Sequence, residues 1–537
     1  MKTTLILMFF TFGFAYCQTP KLVVGIVIDQ MSYDYLYRFD QHFGKDGFNR
    51  FLKNGVNCKN TTYNYVPTYT GPGHASIYTG TTPSNHGIVA NDWYDRALLK
   101  SVYCVQDNTV KTVGSSSKYG KASPHLLETT TITDQLKLTY PNSKVVSISI
   151  KDRGAILPGG HMSNGTYWFD FQTGTFITST YYTTALPEWV EAFNRLHPAK
   201  SYLQDWNLSL PLDRYSRTVD DSPYERVIPG KLAAVFPYTK EEIGSENYSG
   251  FTLTPFANTM LTDFAVSAMV KEGLGKDKLS DMLCISYSTP DIAGHEFGPY
   301  SLELEDIYLR LDRELAKLFQ ALDQEVGKKN YLVFLTADHA VVPVPQQLLD
   351  NKLPGGYLDI DSLTTDLNQF LSVKYGEPLI LEENNLNFYF NREKIHALGL
   401  DLHTLQDEVS ERLRSVPKVQ LVLSGHDLDR NIKLSNWGEM IASGYTKERS
   451  GDVLMVLKPG FINKADDTKG THQGTTHGSA FNYDTHVPLL WYGNGLERAS
   501  IYRPISITDI SATMVHFLNL QRPASMIGSP IDELWEE

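Results

Sequence analysis

Residues 21–29, Lys-Leu-Val-Val-Gly-Ile-Val-Ile-Asp, form a nearly unbroken β-branched run that stops at an acid. A strand apolar on both faces must be covered on both faces, so such a run belongs inside a helix-covered, largely parallel sheet. Four later runs look alike: 144–150 before Lys151, 282–288 before Asp291, 331–336 before Asp338 and His339, and 487–492. Helical patterns lie between them. Ile307, Leu311, Leu315, Leu318 and Leu322 share one apolar face, and 507–518 carries another. Strands alternating with helices predict an α/β fold: a doubly wound, mostly parallel sheet flanked by helices, with function at the strands' carboxyl ends. With 537 residues, 42% of them hydrophobic, the chain can bury a large core.

Charged residues stand where that topology expects ligands. Three strand ends deliver Asp29, Asp291 and the pair Asp338-His339. A single Asp after a strand is often only a turn former. Here histidines accompany the acids: His295 four residues after Asp291, and His472, His477 and His486 in or just after one Gly/Thr-rich loop. Mixed Asp/His ligands with no Cys-x-x-Cys pair suit zinc, and there are too many for one tetrahedral site. Two metals could clamp the entering and leaving oxygens of a phosphoryl displacement. The formal net charge of −13 argues against a nucleic-acid or anionic-membrane binder, so an anionic substrate needs locally concentrated positive charge.

The stretch Pro67-Thr68-Tyr69-Thr70-Gly71-Pro72-Gly73-His74-Ala75-Ser76 reads as a hydroxyl at a helix N-terminus. Glycines allow close approach, Pro72 suits a first turn, and the helix dipole favours an oxyanion on Thr70. Thr68 and Ser76 are alternative hydroxyls, and His74 reads as a capping or packing residue.

Residues 1–17 resemble an export signal: Lys2, a short apolar run over 5–14, and Ala15-Tyr16-Cys17 before Gln18. The run is too short for a membrane span. Export permits disulfides, making Cys58–Cys104 a candidate pair, while Cys284 reads as a buried free thiol. The aromatic-rich interval from about 155 to 256 is expected to cap the site. A second insertion, about 343 to 448, reads as an α+β elaboration whose His396, His403 and His426 are surface or structural residues.

The series VIDQM, PTYTGPGHASIYTGTTPSNHGI, KDR, STPDIAGHEFGP, TADHA, THGS and YDTHVPLLWYG resembles the alkaline phosphatase superfamily. It is most similar to the phosphate-irrepressible alkaline phosphatases of bacterial periplasms, relatives of the nucleotide pyrophosphatase/phosphodiesterases. The resemblance implies Thr70 as nucleophile through a phosphothreonine, and two Zn2+. Asp29, Asp338 and His339 would hold the one that activates Thr70; Asp291, His295 and His477 would hold the other. Of the loop histidines, the Gly-Ser after His477 favours it over His472, and His486 is expected to support the site or anchor a strand start.

The resemblance also implies that Asn91, Lys151 and Arg153 contact phosphoryl oxygens. Lys151 and Arg153 match the monoesterase pattern, so small-molecule phosphate monoesters are the expected substrates and diesters a slow side activity. The alternatives are a phosphodiesterase or nucleotide pyrophosphatase on the same scaffold, and a noncatalytic periplasmic phosphate- or zinc-binding protein. A periplasmic or secreted monomer without a membrane span is expected.

Overall fold

The strand Leu22–Ile28 lies at the centre of an eleven-stranded sheet, every residue buried. It runs parallel to Tyr331–Thr336 on one side and to Asp281–Tyr287 on the other, Val24 opposing Val333 and Leu283. Val145–Ser149 and Gly165–Asp170 continue the parallel set outward. The computed structural model describes residues 19–244, 247–430, 434–467 and 470–535; the segment read as an export signal lies outside them. The four central runs are buried along their whole length, as strands covered by helices on both faces must be.

The fifth run differs from its expected direction. His486–Gly493 pairs antiparallel with Tyr331–Thr336 and with Val56–Thr62, so the sheet is mixed. The reason lies in the preceding loop, which carries His477 to the carboxyl ends of the parallel strands. A strand that starts there must run back the other way.

The helix Leu302–Glu325 buries Ile307, Leu311, Leu315, Leu318 and Leu322 and packs on the helix Pro255–Glu272. Its first turn is capped by Ser301, whose side chain accepts from the Leu304 amide at 3.2 Å. The C-terminal helix Asp509–Phe517 backs the helix Thr70–Thr79, Ser511 Oγ donating to the Ile77 carbonyl at 2.7 Å.

Two strands of the interval 155–256 belong to the main sheet. Gly165–Asp170 and Thr175–Ser179 extend the main sheet, and Tyr167, Trp168 and Phe169 are buried in packing. The second insertion builds a four-stranded sheet from Ile380–Asn384, Asn387–Phe390, Val453–Leu457 and Val419–Ser424. It has a core of its own around Leu367, Phe388, Val409 and Leu413, and takes its third strand from beyond residue 448.

Cys58 and Cys104 do not form the expected pair. Both are free and buried, Cys58 in the main core and Cys104 in a separate cluster. Cys284 is also free and buried, and burial pushes the Cys58 and Cys284 thiols up to about 12. No helix among the described residues is long and apolar enough to cross a membrane.

Candidate active site

Two groups of side chains converge at the carboxyl ends of the central strands. The ligand atoms of Asp29, Asp338 and His339 all lie within 4.8 Å of one another, as do those of Asp291, His295 and His477. Asp29 follows its buried strand directly, and Asp338 follows its own after Ala337. Asp291 and His295 sit in the helix Thr289–Phe297, where a spacing of four puts both on one face; Nε2 of His295 is 3.2 Å from Asp291 Oδ1. His477 Nε2 is 3.5 Å from the same oxygen. The rings of His339 and His477 stack with centroids 3.4 Å apart, joining the two groups.

Backbone carbonyls fix all three imidazoles. Nδ1 of His295 faces the Thr475 carbonyl at 2.8 Å, that of His477 the Thr68 carbonyl at 2.7 Å, and that of His339 the Ala340 carbonyl at 3.0 Å. A carbonyl only accepts, so Nδ1 carries the proton and Nε2 is turned toward the carboxylates. Neutral Nε2 lone pairs facing carboxylate oxygens repel unless a cation lies between them. The buried oxygens Asp29 Oδ1 and Asp338 Oδ2 also have no hydrogen-bond partner. The donor set therefore fits metal ions, Asp/His sets of this kind being those zinc takes.

The charge balance agrees. Burial, and next the charge of Asp291, pushes Asp29 up to about 6. Burial and then Asp29 push Asp338 up as well. Burial alone would raise Asp291, yet His295 and Lys151 hold it well below the usual carboxylate range. Burial lowers His339 and His477, favouring the neutral ring that a metal requires, whereas His295, which burial would also lower, is raised by the charge of Asp291.

Thr70 opens the fully buried helix Thr70–Thr79, and its Oγ1 lies 3.5 Å from His339 Nε2. This close approach needs Gly73, where a β-carbon would fall 2.3 Å from the Asp338 carbonyl oxygen. The Gly71 amide donates to Asn91 Oδ1 at 2.7 Å, which leaves the Asn91 NH2 as the free end. The other hydroxyls are occupied elsewhere. Thr68 Oγ1 donates to the Ser479 carbonyl at 3.1 Å, and Ser76 Oγ pairs with His86 Nε2 at 2.9 Å. His74 bridges the Thr70 carbonyl and Ser286 Oγ, both at 2.9 Å, and burial lowers it to about 3, so it is a neutral packing residue.

Lys151 reaches between the two groups, its Nζ donating to Asp29 Oδ2 at 2.8 Å and to Asp291 Oδ2. Burial opposes its charge, but those two acids raise it. Arg153 Nη1 donates to Tyr103 Oη at 3.1 Å, and that phenol donates to Asp152. Arg153 Nε is buried without a partner.

His472 is not brought to the site. It is half exposed, packs at a tilt against Tyr357 with centroids 4.8 Å apart, and its Nδ1 is 3.2 Å from Asp467. His486 anchors the start of its strand, its Nε2 3.0 Å from the Lys59 carbonyl and its ring stacked on Tyr33. His403 and His426 stack on each other within the second insertion.

Three residues near the site carry no signal in their type. Gln30, at φ 66°, donates its amide to Asp338 Oδ1 at 3.1 Å and its side-chain NH2 to Asp291 Oδ1 at 2.7 Å. Asp484 accepts from the Gly478 and Ser479 amides at 3.1 and 2.7 Å, fixing the loop behind His477. Tyr103 holds Arg153. Only Gln30 had a visible hint, its place directly after Asp29.

Sheet and site together define a class: an α/β ester hydrolase in which a hydroxyl at a helix N-terminus faces two carboxylate–imidazole groups. Comparison with known proteins makes this specific. The chain belongs to the Type I phosphodiesterase / nucleotide pyrophosphatase family, whose sequence profile matches residues 23–480, within the alkaline phosphatase superfamily. It is 41% identical over 521 residues to alkaline phosphatase PafA of Elizabethkingia meningoseptica, covering 96% of this chain and 94% of that one. Alkaline phosphatase PhoV of Synechococcus elongatus is likewise 41% identical, with 96% and 93% covered. The crystal structure of wild-type PafA superposes with a TM-score of 0.92 at 40% identity, covering 96% of this chain and 99% of that one. Murine ectonucleotide pyrophosphatase / phosphodiesterase 5, at 16% identity and a TM-score of 0.54, shares the fold over 95% of this chain and 99% of its own.

Proposed function

We propose that this chain is an exported, dizinc alkaline phosphatase that transfers a phosphoryl group from a monoester to Thr70 and then to water. The observation that carries the reading is Thr70 Oγ1 at a helix N-terminus, 3.5 Å from His339 Nε2 of one ligand group, whose ring stacks on His477 of the other. Asp29, Asp338 and His339 would hold one zinc, and Asp291, His295 and His477 the other. When bound, such ions lower the pKa of a coordinated hydroxyl and neutralise charge developing on a leaving oxygen.

The chain's own groups do the rest. Thr70 supplies the attacking oxygen; the P–O bond to the alcohol breaks as the bond to Oγ1 forms. The resulting phosphothreonine is then hydrolysed by water, freeing inorganic phosphate and restoring the hydroxyl. The helix dipole favours the anion throughout. The free NH2 of Asn91 is aligned to donate to one phosphoryl oxygen. Arg153 offers its unpartnered Nε, and Lys151 its ammonium, to the oxygens that only a monoester leaves charged. That pair favours monoesters over diesters, which would be a slow side activity. The apolar leader over residues 1–17 supports a periplasmic or secreted site of action. Loss of the Thr70 proton is favoured at higher pH, so the reaction is expected to run best above neutrality.

An aryl phosphate assay with and without chelator tests this. Hydrolysis is expected to vanish with EDTA, return with zinc, and be absent from Thr70→Val; acid-quenched enzyme should carry phosphate on Thr70. Full turnover by Thr70→Val would overturn the reading. Absence of hydrolysis at any pH would favour the noncatalytic binder.

A further inference from the structure

A cavity of about 1080 Å³ opens beside Arg153. Lys151, Asp152 and Arg153 form part of one wall. Ile292 and Glu296 form another, and they belong to the helix that carries Asp291 and His295. The cavity thus borders both the cationic pair assigned to the phosphate and the ligand group assigned to the leaving oxygen. On the phosphatase reading, this is where the alcohol part of an ester lies.

Part of the remaining lining is apolar and ringed, set among the polar Gln106, Asn108, Lys118, Lys121 and Glu242. Tyr119 and Phe171 meet edge-on to tilted, centroids 5.8 Å apart at 53°, and Ile228 and Leu253 line the same space. Both rings sit on fixed backbone. The Tyr119 carbonyl accepts from the Trp168 indole N–H at 2.9 Å, and the Phe171 carbonyl accepts from the Tyr248 amide at 2.9 Å. Tyr119 keeps 39% of its surface exposed, so the aromatic pair presents a ring to the cavity mouth and is not wholly spent on core packing.

We propose that this cavity is a subsite for the alcohol, and that it selects monoesters whose alcohol carries a planar ring, benzyl-like or nucleoside-like, over small aliphatic ones. A ring stacked on Tyr119 or Phe171 removes apolar surface from water on both partners and gains the edge and face attraction of aromatic pairs. A methyl ester reaches neither. The contact is made by a part of the substrate that does not react and is the same in the bound substrate and the transition state. It therefore lowers KM and leaves kcat unchanged.

The inference rests on the phosphatase reading, and the test separates the two. Methyl phosphate and benzyl phosphate have alcohols of similar acidity, so their intrinsic reactivities are comparable. In the wild type, benzyl phosphate is expected to show a KM about tenfold lower than methyl phosphate, with similar kcat. The double variant Tyr119→Ala, Phe171→Ala should raise the benzyl phosphate KM to that of methyl phosphate and leave methyl phosphate turnover unchanged, which also reports that the variant is folded. Tyr119→Phe, which keeps the ring, should keep the discrimination. Equal KM values in the wild type, or a double variant that weakens both esters alike, would overturn the subsite. Failure to hydrolyse either ester would overturn the phosphatase reading itself.

Discussion

Gly294 is the space that Gln30 fills: a β-carbon on Gly294 would fall 1.9 Å from Gln30 Oε1. Gln30 in turn touches the acids of three strand ends. It follows Asp29 in the chain, gives its amide to Asp338 and gives its side chain to Asp291.

Gly294→Ala should therefore act as a Gln30 variant. Displacing the side chain frees Asp291 Oδ1, and lost support of a ligand costs about tenfold to a hundredfold in metal affinity. Gln30→Met should do the same, and combining the two should add little. Zinc content after chelator competition measures it; unchanged content in both variants would refute the link.

Tyr103 orients Arg153, so Tyr103→Phe should lower kcat/KM for monoesters by about tenfold while hardly touching diesters. Arg153→Ala and Lys151→Ala should cut monoester turnover more deeply, again sparing diesters. Parallel loss on both ester classes would show that these residues serve the fold and not the dianion.

Asp484→Ala removes the acceptor for two backbone amides behind His477. Stranding buried donors costs roughly 1–3 kcal/mol, which thermal melting would register. Zinc retention in the group with Asp291 and His295 should fall as well, with a smaller loss passed to the group with Asp29 through the stack of His477 on His339.

A pH effect comes from outside the site. Burial, and then the charge of Glu303, pushes Glu225 up to about 9; burial raises Glu303 to about 8, its Oε1 accepting from Tyr238 Oη at 2.6 Å. Unfolded, both carboxyls titrate near 4.5. Between those values the native state holds more protons than the unfolded one, so stability is fully present at low pH and declines as pH climbs toward 8 or 9. Glu303→Gln should flatten that decline. Melting temperatures of both proteins from pH 6 to 9 decide it: parallel curves would exclude the pair as its source.

The parallel core strands and the acids that end them were legible because burial on both faces imposes one local pattern, apolar run then acid. The direction of His486–Gly493 was not, since it follows from where its loop must deliver His477 and not from its own residues. The sheet role of Gly165–Asp170 and Thr175–Ser179 was masked by their aromatic content, which a cap and a sheet edge share. Cys58 and Cys104 looked pairable on compartment grounds alone, and only the fold places them in separate clusters. Gln30, Tyr103 and Asp484 work through backbone amides and a shared phenol, and no residue type announces such contacts.

The stack of His339 on His477 has one more consequence. Each ring belongs to a different ligand group and each is pinned by a carbonyl, so neither group can drift without dragging the other. The spacing of the two acidic groups is thereby a caliper with locked jaws. Descendants of this chain would change their diet by remodelling the chamber beside Arg153, because the caliper itself has no play to give.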